Sequence, residues 1–469
     1  MNTKTLKIFL SAASILGCLT ACDDYLEKTP NLSLSSEDIF NSQERIEGVI
    51  LGAYSKMKTG SGNKLLICIE NIGDDFINVS GNVQNEALES YELGIGLNSG
   101  DNTTVWSNTY QIINNVNTAL DNLEANPEGA GDKLEAFRQE LRFQRALNYF
   151  YLNFFYAKPY VVDAQALSVP LRLKGESSLV NEDLAQATNA EVYAQILEDT
   201  RDYSALPSTG STYDNITRAS QAAVLTLRQR VFLALGQWEQ VVEAGRAIHG
   251  YSLTDTPAGP FQSSASCPEV IFTYPQTSTD FGGGHQQSLP YFFGTGQSLA
   301  LDRSSGILSD LYPAYNLPAD KRIAELTTYK NAQPIVTKYT DDVNYLDWVV
   351  VFRYAEVKLN LAEAYAHLGR EDEARQELSD VRRRSLSAAA DPLDISTLTG
   401  DNLLQAIYQE RRIEFLGESL RAIDIKRRGE SITKQKGTPS EWTVTPQQDG
   451  YTWPIPATER TNNRLIGST

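Results

Sequence analysis

Helical periodicity is the feature that most constrains how this chain can fold, and it is clearest in residues 353–384. Apolar residues in this stretch recur at the spacing that places them on one face of an α-helix. They are Tyr354, Val357, Leu361, Ala364, Tyr365 and Leu368, and another face carries Glu356, Asn360, Glu363 and His367. Gly369 interrupts the pattern, and a second helix is predicted to start after it. The stretch therefore predicts a helical hairpin.

A second copy of this unit lies at residues 219–248. When the breaking glycines of the two units are aligned, two apolar positions coincide, although the identity between the units is weak. The aligned pairs are Gly236 with Gly369, Phe232 with Tyr365, and Val241 with Ala374. The spacing of six residues in the later unit resembles that of a tetratricopeptide repeat, in which small residues let two helices approach closely. These six residues are Leu361, Ala362, Tyr365, Gly369, Ala374 and Leu378. A generic helical hairpin is the alternative, and both interpretations assign these residues to packing.

The remaining helical segments extend this pattern over most of the chain. Helices are predicted at about 36–58, 103–124, 132–156, 188–202 and 402–428. The last of them has an apolar stripe formed by Ile413, Leu416, Leu420 and Ile423. Charges alternate in sign at three-residue steps through Glu418, Arg421, Asp424 and Arg427. That spacing favours a salt-bridge ladder along one helix, with a binding site as the alternative.

Two long stretches lack helical periodicity. Residues 60–102 are rich in Gly and Asn, and residues 251–345 contain many Pro, Gly and Ser turns. Long loops inserted into a compact frame are where binding residues commonly lie. We therefore expect the functional site of this chain in these two stretches.

The N-terminus has the pattern of a secretory signal. Lys4 and Lys7 precede an apolar run at 8–19, which is too short to span a membrane because a spanning helix needs about 20 residues. The run ends in Leu-Thr-Ala-Cys, which resembles the lipobox of bacterial lipoproteins, with Cys22 as the acylated residue. We therefore predict a signal peptide at 1–21 and a lipid anchor on Cys22. An ordinary signal peptide with a chance cysteine is the alternative.

An acidic pair follows the predicted lipid anchor. Asp23 and Asp24 resemble the surface-export signal of Bacteroidetes lipoproteins. This resemblance implies an outer-membrane lipoprotein exposed at the cell surface. A flexible acidic tether is the alternative interpretation of the pair.

The net charge argues against nucleic acid and anionic lipid as partners, and few cysteines and histidines are available for disulfides or metal binding. The formal net charge is −18, so the surface repels nucleic acid and anionic lipid, and no basic patch argues otherwise. Beyond the signal, only Cys68 and Cys267 remain. They could form one disulfide or stay as two buried thiols. The histidines are His249, His285 and His367, and their separation matches no metal-ligand spacing.

Taken in order, these stretches resemble the SusD/RagB family of outer-membrane nutrient-binding lipoproteins. Eight stretches carry the resemblance over nearly all of the chain. They are "DDYLEKTP", "DIFNSQERIEGVILGAYSKM", "VWSNTYQIINNVNTALDNL", "LRFQRALNYFYLNFFYAKPYV", "PEVIFTYP", "FRYAEVKLNLAEAYAHLG", "QERRIEFLGESLRAIDIKRRG" and "TWPIPATERTNN". The chain departs from the family pattern at 157–159, where a glycine is usual, and after Leu465, where a Gln-Asn pair is missing.

The resemblance implies both a fold and a function. The fold is mostly α, with superhelical tetratricopeptide-like helix pairs and a loop-rich insertion carrying short strands. Residues 22–250 would form its N-terminal half and 251–469 its C-terminal half, with the ligand region at 251–345. The implied partners are a TonB-dependent SusC-like outer-membrane transporter and an oligosaccharide ligand, or an oligopeptide in the RagB branch. The resemblance implies no cofactor and no catalysis.

Carbohydrate binding requires aromatic faces against sugar C–H surfaces and polar groups for the hydroxyls. In the two loop stretches the predicted ligand contacts are Asp75, Phe76, Asn78, His285, Tyr291, Phe292 and Tyr345. Further candidates are Asp74, Phe293, Tyr312, Tyr315 and Trp348. The Tyr-Phe-Phe run could instead pack its loop. Trp106 lies in a predicted helix and is expected in the core.

Two other classes of function compete with glycan binding. A glycosidase needs two carboxylates roughly 5–10 Å apart, but with 59 acidic residues any spacing in the sequence arises by chance. Neither G-x-S-x-G nor H-E-x-x-H occurs in the chain. A scaffold that binds only proteins is the third class, because helical-repeat frames commonly serve that role.

Overall fold

The computed structural model describes residues 39–58, 63–79, 100–176, 182–208, 213–279, 289–293, 299–304, 306–311, 317–341 and 343–466. The predictions for Cys22, His285, Tyr312 and Tyr315 fall outside these residues. Within the described ranges, no helix combines the length and the apolarity that crossing a membrane requires.

Helices dominate the described part of the chain. They are α1 (Gln43–Lys56), α2 (Asn63–Ile72), α3 (Gly100–Ala125), α4 (Leu134–Tyr156), α5 (Asn189–Asp199), α6 (Tyr213–Thr217), α7 (Gln221–Leu235), α8 (Trp238–Arg246), α9 (Leu289–Phe293), α10 (Gly306–Asp310), α11 (Lys321–Leu326), α12 (Tyr354–His367), α13 (Glu371–Ser385), α14 (Gly400–Glu414), α15 (Arg421–Arg427) and α16 (Ala457–Asn462).

The strands are short and pair in twos, always antiparallel. They are β1 (Phe76–Asn78), β2 (Val270–Tyr274), β3 (Leu299–Leu301), β4 (Thr327–Lys330), β5 (Gln333–Val336), β6 (Val349–Arg353), β7 (Ile432–Lys434) and β8 (Trp442–Val444). The pairs are β1–β3, β2–β6, β4–β5 and β7–β8. Half of these strands lie in the loop-rich stretch at 251–345, so the predicted mostly α fold with a strand-bearing insertion is confirmed.

Both predicted hairpins are present. Helices α7 and α8 form one, and α12 and α13 form the other, with α8 packed on α12. The breaking glycines, Gly236 and Gly369, have φ values of 67° and 70°. That left-handed conformation ends a helix at little cost only when the residue lacks a β-carbon. The Gln237 and Arg370 amides then donate back to the last turn of the preceding helix, to Phe232 O and Tyr365 O.

Three of the four residues on the polar face of α12 are buried against neighbouring helices, and only His367 at its end is exposed. Glu356 accepts from Arg230 of α7 at 2.6 and 2.8 Å. Glu363 accepts from Arg427 of α15 at 2.5 and 2.6 Å. Asn360, between them, accepts from Arg411 of α14 at 2.6 Å. A line of paired polar groups therefore joins α12 to three other helices, whereas the apolar face packs in the core.

The helix predicted at 402–428 is two helices, which corrects the prediction. Helix α14 ends at Glu414 and α15 begins at Arg421. Between them, Gly417 and Ser419 have φ values of 79° and 59°. The Glu70 carboxylate from α2 accepts from the amides of both residues. A side chain distant in sequence thus satisfies backbone donors that a continuous helix would have bonded internally.

The break also changes the predicted salt-bridge ladder. Only its last step forms, with Arg427 bonded to Asp424 at 2.9 Å. Glu418 pairs instead with Arg353, and Arg421 pairs with Asp74. The apolar stripe at Ile413, Leu416, Leu420 and Ile423 is buried as predicted.

Burial and helix content correct or resolve three further expectations. Residues 60–102 are not irregular throughout, because they contain α2, β1 and the start of α3. Cys68 and Cys267 are both free and buried, which selects the two-thiol alternative. Trp106 is buried in α3 as expected.

Candidate functional site

The β1–β3 pair forms the base of the candidate site. Phe76 lies opposite Leu301, and Asn78 lies opposite Leu299. Phe76 is fully buried, with its ring centroid 5.2 Å from that of Phe293 in α9. Asn78 at the other end of the strand is only partly buried. The strand therefore fixes one predicted contact in the core and leaves the other near the surface.

Arginines hold the acidic pair that precedes β1. Asp75 accepts from Arg412 Nε at 2.8 Å, and Asp74 accepts from two Arg421 nitrogens at 2.6 and 2.8 Å. Burial, opposed by Arg412, raises the pKa of Asp75. Burial also acts to raise the pKa of Asp74, but Arg412 and Arg421 outweigh it and the net change is downward. Both carboxylates are bonded to cations in the interior, so they hold the strand in place.

Helix α9 carries the Tyr-Phe-Phe run with its residues on different sides. Phe292 and Phe293 are buried, and Phe293 stacks on Tyr339 at 5.8 Å with an interplanar angle of 8°. Tyr291 is only partly buried. The two phenylalanines therefore pack in the core, as the alternative interpretation of this run predicted. Tyr291 is the residue of the run that lies near the surface.

Tyr291 meets Tyr345 from the loop before β6. Their ring centroids are 5.5 Å apart with an interplanar angle of 72°. Tyr345 is partly buried, and its φ of 59° lies in the left-handed region. Two tyrosine rings at this angle form a corner, with a ring face beside a ring edge and two hydroxyl groups. The structure thus brings together two predicted contacts that the sequence places far apart.

Trp348, also near this loop, packs inward. It lies on a small apolar cluster formed by Ile216, Phe261, Cys267, Val270 and Val350. Its backbone amide donates to Ser263 Oγ at 3.0 Å. The side chain is therefore placed for packing under the loop.

Two residues near these loops were not predicted from the sequence. Lys64 Nζ lies 5.9 Å from the Phe292 ring centroid and 2.6 Å from an Asp101 carboxylate oxygen. Tyr329 at the β4–β5 hairpin is 69% exposed, and the Arg303 guanidinium lies 5.5 Å from its ring centroid. No local signal in the sequence identifies either residue.

The chemistry of the corner fits binding of a neutral polar ligand. Aromatic rings cover apolar C–H faces, and the tyrosine hydroxyls can donate and accept hydrogen bonds. Asp74 and Asp75, which precede the strand that carries Asn78, are committed to Arg412 and Arg421. Within the described residues, no group of three or more His, Cys, Asp or Glu is placed to hold a metal ion.

Comparison with known proteins defines the class. A family model described as starch-binding and associating with the outer membrane matches residues 24–233, and the SusD family model matches residues 311–467. A SusD superfamily crystal structure from Bacteroides fragilis is 39% identical, covers 92% of this chain and 100% of its own, and has a TM-score of 0.87. The chain belongs to the SusD/RagB family.

Two further proteins are similar to this chain at lower sequence identity. SusD-like protein P25 from Formosa agariphila is 24% identical, and the match covers 88% of each chain. A crystal structure of a putative sugar binding protein from Bacteroides vulgatus is 23% identical, covers 91% of this chain and 98% of its own, and has a TM-score of 0.78.

Proposed function

We propose that this protein binds an oligosaccharide at the cell surface, does not cleave it, and passes it to a TonB-dependent SusC-like outer-membrane transporter. The observation that carries the proposal is the corner formed by Tyr291 and Tyr345, with centroids 5.5 Å apart at 72°. The family models support a glycan ligand and an outer-membrane location, since one is described as starch-binding and associating with the outer membrane.

The predicted contacts divide into two groups by burial. Asn78, Tyr291 and Tyr345 retain exposed surface, and we assign them to direct contact with the sugar. Asp75 and Phe76 are buried, and we assign them to holding the strand. Phe292, likewise buried, supports Tyr291 from below. His285 remains a proposed contact in the same loop stretch.

Absence of catalysis is part of the proposal. A glycosidase needs one protonated and one ionised carboxylate on either side of a bond. Asp74 and Asp75 lie close to Asn78 in sequence, but arginines bond both of them in the interior. They are therefore poorly placed to exchange protons with a sugar.

The anchor and the transporter complete the proposed route. We assign the lipid to Cys22, because this cysteine ends the lipobox-like run Leu-Thr-Ala-Cys. Two or more acyl chains bind a membrane stably without a spanning helix. The change Cys22→Ala should release the protein from the membrane or stall its processing, as seen by membrane fractionation. A membrane-bound, normally processed Cys22→Ala protein would contradict the anchor.

For the transporter, a tagged wild-type protein extracted in mild detergent should co-purify with a TonB-dependent barrel, and its isolation without one would contradict that partner.

Electrophoresis in gels containing polysaccharide tests the binding site. The wild type should be retarded by at least one of soluble starch, xylan, mixed-linkage β-glucan and galactomannan. Tyr291→Ala and Tyr345→Ala should each lose most of this retardation. The matched control is Tyr408→Ala, which removes a partly buried tyrosine from the helical frame. Equal retardation of all four proteins would remove the corner from the site, and reducing ends released from the retarding glycan would show catalysis.

A further inference from the structure

The backbone of Tyr345 is held in a conformation that tyrosine rarely adopts. Its φ is 59°, and a bulky residue in the left-handed region is a genuine outlier. Such a conformation costs roughly 1–3 kcal/mol and persists only where the surroundings impose it. The loop around Tyr345 must therefore contain contacts that offset this cost.

Asp341 supplies one set of these contacts. One of its carboxylate oxygens accepts from the amides of Val343 at 3.3 Å and Asn344 at 2.9 Å. The other oxygen accepts from the Leu346 amide at 3.1 Å. These donors lie on both sides of Tyr345 in the chain. A single carboxylate thus fixes the peptide groups that precede and follow the strained residue.

Asp347 closes the same loop from its other end. Its Oδ2 atom accepts from the amides of Thr340 and Asp341, both at 2.7 Å. The residue is only 8% exposed. Because Asp347 holds the amide of Asp341, and Asp341 holds the residues beside Tyr345, the two carboxylates form one brace across the loop.

Both ends of the braced loop are fixed to the frame. On the N-terminal side, Lys338 donates to Glu414 O at 2.9 Å and to Glu418 at 2.5 Å. On the C-terminal side, the chain enters β6 at Val349, opposite Tyr274 of β2. The brace therefore sets the position of the Tyr345 ring relative to the rest of the molecule, including Tyr291 on α9.

We propose that Asp341 and Asp347 are positioning residues, which hold the Tyr345 ring against Tyr291 without touching the ligand themselves. This inference rests on the proposed function, since it takes Tyr345 as a ligand contact. It adds that affinity depends on two carboxylates acting through the backbone of one tyrosine. Preorganising a contact in this way raises affinity by lowering the ordering cost at the moment of binding.

A double-mutant cycle distinguishes positioning from direct contact. Asp341→Ala and Asp347→Ala are each combined with Tyr345→Ala, and the calorimetric Kd is measured for the panel polysaccharide that retards the wild type. In the wild-type background each Asp→Ala change should raise Kd about tenfold, because a preorganised contact is lost. In the Tyr345→Ala background the same change should raise Kd by less than about twofold. A full effect in both backgrounds would show direct ligand contact and overturn the proposal.

The matched control is Asp394→Ala, which also removes a carboxylate that accepts a backbone amide, that of Ser396 at 3.1 Å. It should leave Kd unchanged. If Tyr345→Ala alone binds as the wild type does, the proposed function fails at this residue. If Tyr345→Ala weakens binding and Asp341→Ala does not, only the positioning inference fails.

A ligand-free measurement keeps the inference testable whatever the glycan is. Hydrogen exchange of the Val343, Asn344 and Leu346 amides should accelerate by about tenfold or more in Asp341→Ala, since their acceptor is removed. Replacing Tyr345 with glycine relieves the strain. Asp341→Ala should therefore lower the melting temperature less in a Tyr345→Gly background than in the wild type. Unchanged exchange, or equal melting shifts in both backgrounds, would overturn the brace.

Discussion

The guanidinium of Arg412 lies 2.8 Å from the carboxylate of Asp75, across 337 residues of sequence. Arg412 also bonds Asp310 in α10 at 3.1 Å. Asp75 directly precedes β1, which carries Asn78, and α10 follows the paired strand β3. One side chain of α14 therefore fixes the base of the candidate site to the helical frame.

Arg412→Met should destabilise the protein strongly. The change leaves Asp75, which is 1% exposed, without its main cation, and breaking a buried pair typically costs about 3–5 kcal/mol. Urea denaturation followed by circular dichroism measures the loss. The control is Lys174→Met, which removes two ion pairs made by a lysine side chain that is 74% exposed and should cost little, as exposed pairs do. Equal, small losses for both variants would contradict a supporting role for Arg412.

Two glycine substitutions should change stability in opposite directions. At Gly417, φ is 79°, and a β-carbon would lie 3.3 Å from Val336 Cγ1 and 3.5 Å from Phe293 Cζ. Gly417→Ala should therefore cost about 1–2 kcal/mol. Gly52 lies inside α1, where a β-carbon would meet nothing within 4 Å beyond its chain neighbours and the nearby backbone of its own helix, so Gly52→Ala should stabilise by about 0.5–1 kcal/mol. Thermal melts compare the two, and a stabilising Gly417→Ala would contradict the observed turn.

Two residues of the Tyr-Phe-Phe run should respond differently to truncation. Phe293 is fully buried between Phe76 and Tyr339, so Phe293→Ala should cost about 3–5 kcal/mol of unfolding free energy. Tyr291 keeps exposed surface, and Tyr291→Ala should cost about 1 kcal/mol or less. Chemical denaturation separates these values. A loss of several kcal/mol for Tyr291→Ala would show that this ring is a core residue and unsuited to ligand contact.

Lys426 should give stability a distinctive pH dependence. Its ammonium is buried and donates to Phe154 O at 2.8 Å, and burial lowers its pKa from 10.5 to about 7. Between these two values the unfolded chain binds more protons at this site than the folded chain. The free energy of unfolding therefore rises with pH in that window, by at most about 1.4 kcal/mol per pH unit from this group.

Comparison with Lys426→Met isolates this contribution. The wild-type unfolding free energy minus that of Lys426→Met should increase from about pH 7 to about pH 10 and stay flat below about pH 6. Urea titrations at fixed pH values measure it. Lys174→Met, in which the lost ammonium is largely exposed, should show a flat difference from about pH 7 to about pH 9. A flat difference for Lys426→Met over the same range would contradict a depressed pKa.

The sequence predicted what is local in this fold. The spacing of apolar residues in α12 and the glycine that ends it lie within one short stretch, and both hairpins formed as expected. Gly369 could be predicted from the sequence to end the helix, because a left-handed residue at a helix end needs no distant partner.

Features that depend on distant partners could not be predicted from that pattern. The break between α14 and α15 is held by Glu70, which lies far earlier in the chain. The polar face of α12 has the composition of a solvated face, yet arginines from three other helices cover it. In both cases the deciding contact is an ion pair or hydrogen bond between elements that periodicity does not connect.

The candidate site shows the same division. Residue type alone selected Asp75, Phe76 and Phe292 alongside Tyr291 and Tyr345. In the structure, Asp75 is buried and bonded to Arg412, and Phe76 and Phe292 are buried in the core. Burial therefore separates these three residues from the two tyrosines. The contact between Tyr291 and Tyr345 depends on how α9 and the braced loop pack, which composition does not specify.

We propose that this SusD/RagB family protein binds a glycan at the Tyr291–Tyr345 corner. Isothermal titration of residues 23–469 with the four polysaccharides and with a mixed peptide pool tests it most directly. Heat of binding is expected for at least one glycan and for none of the peptides, and Tyr345→Ala should bind that glycan with a raised but measurable Kd. Binding of the peptide pool with no heat from any glycan would contradict this proposal and assign the protein to oligopeptide import.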